Sequence, residues 1–156
     1  MDDYDRLQRK LICPLTIDIL LVEDNPGDIR LAQETLKEYK VQNALHVVCD
    51  GEEALKYLRR EHPYTSAAAP DMILLDLKMP KMDGMEVLEE LQNDVCLRKI
   101  PVALLTSSQM DEDLLRRYKI PIACFLQKPL TLDRILDAVR CFSEFGVSIV
   151  RVASGN

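Results

Sequence analysis

The chain has 156 residues, about one domain with one substantial core, and its 47% hydrophobic and 29% charged residues exclude a disordered or membrane-embedded class. Its formal net charge of −6, with no basic stripe among the lysines and arginines, argues against direct nucleic-acid binding. No apolar run is long enough to cross a bilayer and the start MDDYDRLQRK is too charged for a signal peptide, so a cytoplasmic protein is expected.

Residues 1–16 read as an N-terminal extension, 17–145 as the domain and 146–156 as a C-terminal tail. The first strand is IDILLV (17–22), apolar throughout as a buried parallel strand should be. Asn25-Pro26 then supplies a cap and a proline at the first helical position, and Ile29, Ala32, Leu36 and Tyr39 form a one-sided stripe over 27–39. A second strand, ALHVVC (44–49), leads to Asp50 and Glu53, the three-residue spacing of a capping box. REHPYTSAAAPD (60–71) reads as a surface connection before the third strand, MILLD (72–76). Asp83 and Glu86 repeat the capping spacing, PVALLT (101–106) and IACFL (122–126) are the last two strands, and Leu132, Ile135, Leu136, Val139 and Phe142 stripe a helix over 131–145. Strand and helix alternate five times, which implies a doubly wound α/β fold with a parallel sheet and helices on both faces.

The five cysteines are odd in number and include no C-x-x-C pair, so neither a disulfide framework nor a zinc site is indicated. Cys49 and Cys124 fall in apolar runs and are expected to act as small core hydrophobes.

The polar residues that end the strands carry the chemistry. Strand 1 ends in Glu23-Asp24, strand 3 in Asp76, strand 4 in Thr106, and Lys128-Pro129 follows strand 5. Ligands of open parallel sheets bind beyond the carboxyl ends of the strands, so these groups should converge although a hundred positions separate them. Strand 2 ends in Cys49-Asp50 and offers a helix cap alone, which suits an edge strand. Each of these residues by itself is ordinarily a cap, a turn or a loop residue. Their joint placement at four strand ends would need four coincidences. Crowded carboxylates repel unless a cation joins them, and Mg2+ takes oxygen ligands together with a phosphate. Lys128 and Thr106 suit phosphoryl oxygens, which leaves Asp76 placed as the nucleophile of an aspartyl-phosphate chemistry.

LLVEDNPGD, ILLDLKMPKMDG, LLTSS and FLQKPL resemble, in order and spacing, the signature segments of two-component response regulator receiver domains over roughly residues 17–142. The resemblance implies a flavodoxin-like sheet of strand order 2-1-3-4-5 and a phosphorylation-dependent switch charged by a sensor histidine kinase. It makes Asp76 the phosphoacceptor and assigns Mg2+ to Asp24, Asp76 and the backbone carbonyl of Lys78, with Glu23 acting through water. Thr106 and Phe125 become the switch pair, Lys128 the phosphoryl-binding lysine with a cis peptide to Pro129, and Lys78 and Ser108 the positions that tune dephosphorylation. The chain is similar to small stand-alone regulators of bacterial and cyanobacterial phytochrome kinases. For such regulators a homodimer through the fourth helix, fifth strand and fifth helix is implied, with Phe142 and Phe145 as candidates. Two rivals are a phosphatase of the haloacid dehalogenase type and a receiver-like adaptor independent of phosphate. The first expects a second acid two residues after the nucleophile, where Lys78 stands, and the second usually lacks an acid or the lysine.

Overall fold

The computed structural model describes residues 17–38, 43–107 and 125–144. Five strands, β1 (Ile17–Val22), β2 (Asn43–Val48), β3 (Met72–Asp76), β4 (Val102–Thr106) and β5 (Phe125–Gln127), form one parallel sheet of order β2-β1-β3-β4-β5. The described helices are α1 (Pro26–Lys37), α2 (Gly51–Leu58), α3 (Gly84–Gln92) and α4 (Leu132–Glu144), with a short 3-10 turn at Leu97–Lys99. The helix expected between β4 and β5 falls in 108–124, outside the described residues, as do Tyr39, Cys124, Phe145 and both terminal extensions. Phe142 lies in α4, but its side chain is outside them too.

Apolar residues run the length of each central strand because both faces of the sheet are covered. Alternate residues of β1 separate accordingly: Ile17, Ile19 and Leu21 face one core with Ala32 and Leu36 of α1 and Ile135 and Ala138 of α4. Leu20 and Val22 face the other core, with Ala54 and Leu55 of α2 and Val87 and Leu91 of α3. Each fully buried Leu or Ile contributes about 1.5–3 kcal/mol, so the two cores together fix the register of every strand.

The helix starts form as their spacings indicate. Asn25, Asp50 and Asp83 are extended N-caps whose side chains accept the backbone N–H of Asp28, Glu53 and Glu86 at 3.0, 2.8 and 2.9 Å. Asp50 and Asp83 are each followed by glycine. A Cβ at Gly51 would overlap the carbonyl oxygen of Met82, and one at Gly84 the carbonyl oxygen of Asp76, so close backbone approach demands glycine at both. The 60–71 connection is mainly exposed, yet Tyr64 and Ala67 pack against the second core and the Tyr64 hydroxyl donates to Glu53 at 2.9 Å.

One expectation needs correction. Cys49 is exposed, not a core hydrophobe: β2 closes at Val48, and Cys49 follows it on the way to the Asp50 cap. At the edge position of β2, the described residues leave the thiol uncovered.

Candidate functional site

The strand order reverses between β1 and β3, and the crevice of a doubly wound sheet opens at that point. Val22 pairs with Leu75, so the next residue of each strand, Glu23 and Asp76, are neighbours at the C-terminal rim. Glu23 is 1% and Asp76 6% exposed, while Asp24 turns to solvent. The three acids offer oxygens that all lie within 4.8 Å of one another. Hard oxygen donors at this spacing, open to solvent through Asp24, fit a single divalent cation.

Lys128 reaches this group from the loop after β5. Its ammonium lies 2.9 Å from Glu23 Oε2, 3.0 Å from Asp28 Oδ2 and 3.4 Å from Asp76 Oδ2. Three hydrogen bonds hold the backbone around it: Lys128 N–H donates to the carbonyl of Thr106 at 2.7 Å, and Arg134 of α4 donates to the carbonyls of the flanking Gln127 and Pro129. The Lys128–Pro129 peptide is cis, as expected.

Burial and charge act against each other here. Burial pushes the Glu23 carboxyl up to about 7; Lys128 opposes the rise, Asp76 reinforces it and the N–H of Asn25 opposes it. Glu23 Oε1 accepts that N–H at 3.1 Å, whereas Oε2 has no aligned donor, so its 2.9 Å contact with Lys128 is a charge pair. For Lys128, burial pulls the ammonium down, but the contacts with Glu23 and then Asp28 outweigh it and hold the group above its ordinary range.

Asp76 itself is weakly satisfied. The N–H of Lys78 donates to its Oδ1 at 3.4 Å, a long bond, while the Lys78 side chain is exposed. Thr106 is fully buried and its hydroxyl has no hydrogen-bond partner among the described residues, an uncommon state for a buried polar atom. Phe125 is half-buried opposite Leu104, and the two-residue period places it on the same sheet face as Thr106.

Glu23, Asp24, Asp76, Lys78 and Lys128 thus line one open cleft, with Thr106 buried at the adjoining strand end and Phe125 beside it in the second core. Ser108 lies outside the described residues. Four further described residues line the cleft without having been anticipated: Asn25, Asp28, Leu77 and Ser107. For Asp28 a signal was available, since a first-turn acid of the helix that begins three residues after Glu23 must stay near the rim. Its use by a lysine 100 positions away was not readable.

The cluster is acidic, contains a lysine and a weakly bonded carboxylate, and stands at the switch point of a five-stranded parallel sheet. Known proteins share both sequence and architecture with it. The chain is 37% identical over 132 residues to response regulator Rcp1 of Synechocystis sp., covering 85% of this chain and 90% of Rcp1. The Mn(2+)-bound structure of Rcp1 matches with a TM-score of 0.67 and 36% identity over 86% of this chain and 96% of that one. The phosphorylated cyanobacterial phytochrome response regulator RcpA gives 0.69 and 42%, and the bacteriophytochrome response regulator AtBRR 0.78 and 39%, each over 86% of this chain and 96% of the other. The response regulator receiver domain family matches residues 19–140, nearly all of the alternating strands and helices described above, and the chain belongs to that family.

Proposed function

We propose that the protein is a phosphorylation-dependent switch in which Asp76 accepts a phosphoryl group from a sensor histidine kinase, of phytochrome type given its relatives, and itself turns over no substrate. The reading rests on one observation: Asp76 shares a rim with two further acids within 4.8 Å and with an ammonium 3.4 Å away. A carboxylate oxygen of Asp76 attacks phosphorus, the bond from phosphorus to the kinase's histidine nitrogen breaks, and that nitrogen keeps the electron pair. Mg2+, held by Asp24, Asp76 and the Lys78 carbonyl with Glu23 through water, would neutralise the phosphoryl charge.

The chain's own residues do the rest. Lys128 offers its positive charge to a phosphoryl oxygen. The unpartnered hydroxyl of Thr106 gains an acceptor by turning toward that oxygen, and the space it vacates lets Phe125 shift on the same face. Lys78 and Ser108, each two positions along the sequence from Asp76 and Thr106 respectively, set how long the phosphoryl group survives. The helix expected over 108–124, β5 and α4 would then form the responsive face, through which a cytoplasmic homodimer would assemble using Phe142 and Phe145. A haloacid dehalogenase type of phosphatase is less well supported, because the position of its general acid is occupied by Lys78.

Incubation with a small phosphodonor and Mg2+, followed by intact mass measurement, tests the assignment. The expected result is one phosphoryl addition in the native protein and none in Asp76→Asn. An equal gain in a folded Asp76→Asn variant would remove Asp76 from its role.

A further inference from the structure

Lys128 has more acid partners than a phosphoryl-binding lysine needs. Two of them, Glu23 and Asp76, belong to the acid cluster, and both would pull its ammonium onto the carboxylates that must receive metal and phosphorus. The third, Asp28, stands apart from that cluster: it comes from the first turn of α1 and accepts a 3.0 Å hydrogen bond from the Lys128 ammonium. With this bond in place the ammonium remains 3.4 Å from Asp76, beyond a close hydrogen-bonded pair.

We propose that Asp28 is a positioning residue that holds the Lys128 ammonium off Asp76 and keeps it at the cleft mouth where an incoming phosphoryl oxygen arrives. The inference rests on Asp76 being the phosphoacceptor and extends that site by one residue. Its physical basis is competition for one point charge. Without Asp28, the ammonium has two carboxylates left, and both are ones whose negative charge the reaction requires. A closer pair with Asp76 Oδ2 lowers the electron density available for attack and obstructs a divalent cation. A bystander role is the simple alternative, because an acid in a first helical turn also stabilises the helix dipole. The two roles separate because the helix dipole is indifferent to Lys128.

The experiment is a double-mutant cycle with native protein, Asp28→Asn, Lys128→Ala and the double variant. Initial phosphorylation rate from phosphoramidate at saturating Mg2+ is followed by intact mass. Asp28→Asn is expected to slow the reaction about fivefold when Lys128 is present, within the range of couplings between contacting residues, and by less than about twofold when it is absent. Asp28→Glu should restore most of the rate. Calorimetric titration with Mn2+ gives a second reading that needs no phosphorylation: Asp28→Asn should weaken binding more in the native background than in Lys128→Ala. Equal losses in both backgrounds, or no loss with Lys128 present, overturn the inference. Failure of the native protein to gain a phosphoryl group would instead overturn the assignment of Asp76 as acceptor.

Discussion

Two strand-end aspartates of this molecule are almost equally buried, and the proposed function gives them opposite roles. Asp50, after β2, is 8% exposed, and Asp76, at the end of β3, is 6% exposed. Asp50 accepts a 2.8 Å bond from the backbone of Glu53 and lies 3.6 Å from the Lys81 ammonium, so its needs are met by its own cap and one neighbouring loop. Asp76 accepts a long 3.4 Å bond from the backbone of Lys78 and, among the described residues, has two other acids and the Lys128 ammonium around its remaining oxygen. Burial therefore does not distinguish a structural carboxylate from a reactive one. What distinguishes them is whether local hydrogen bonds already occupy the oxygens.

Substitutions that test this contrast fall in a clear order of size. Gly84→Ala should have the largest effect, because its methyl group would overlap the Asp76 carbonyl oxygen and the backbone of Leu77. A loss of about 2–3 kcal/mol in denaturant unfolding is expected, with slower phosphorylation of Asp76, since overpacked backbone contacts relax poorly. A fully stable and active Gly84→Ala protein would show that the end of β3 need not be held in place.

The next effect is pH-dependent and concerns Glu23. Its carboxyl is raised from 4.5 to about 7 in the folded state, so between these values the folded protein binds more protons than the unfolded chain. Stability of the metal-free protein should therefore fall as pH rises from about 4.5 to about 7, by on the order of 1–2 kcal/mol, and then level off. Glu23→Gln should flatten this slope in thermal melts across the same range. Divalent-cation affinity should move oppositely, strengthening as pH rises through about 7 and Glu23 loses its proton. A flat melting profile in the native protein would mean that Lys128 neutralises Glu23 completely.

The smallest effect is expected at Asp50. Asp50→Ala removes a helix cap and should cost about 1 kcal/mol, with a phosphorylation rate within about twofold of native. A large loss of phosphorylation there would erase the contrast between the two aspartates and make the Lys81 loop part of the site.

Much of this was legible in linear order. Alternating apolar runs identified every described strand, and the acid spacings at Asp50-Glu53 and Asp83-Glu86 located helix starts to within a residue. Convergence of Glu23, Asp24, Asp76 and Lys128 followed from strand ends alone, because parallel strands present their carboxyl ends to one rim. Cys49 was misread for a related reason: an apolar run indicates a strand, but not whether the residue just past its end has a neighbour to bury it.

The amino-acid sequence by itself determined the architecture, since hydrophobic period and capping chemistry are local properties that any chain segment carries with it. Tertiary structure alone decided how charge is shared at the rim. The bond from Lys128 to Asp28, the deep burial of Glu23 and the orphaned hydroxyl of Thr106 depend on ångström-scale placement of groups from different strands and helices. Electrostatic and hydrogen-bond energies vary steeply over such distances, and no spacing along the chain encodes them.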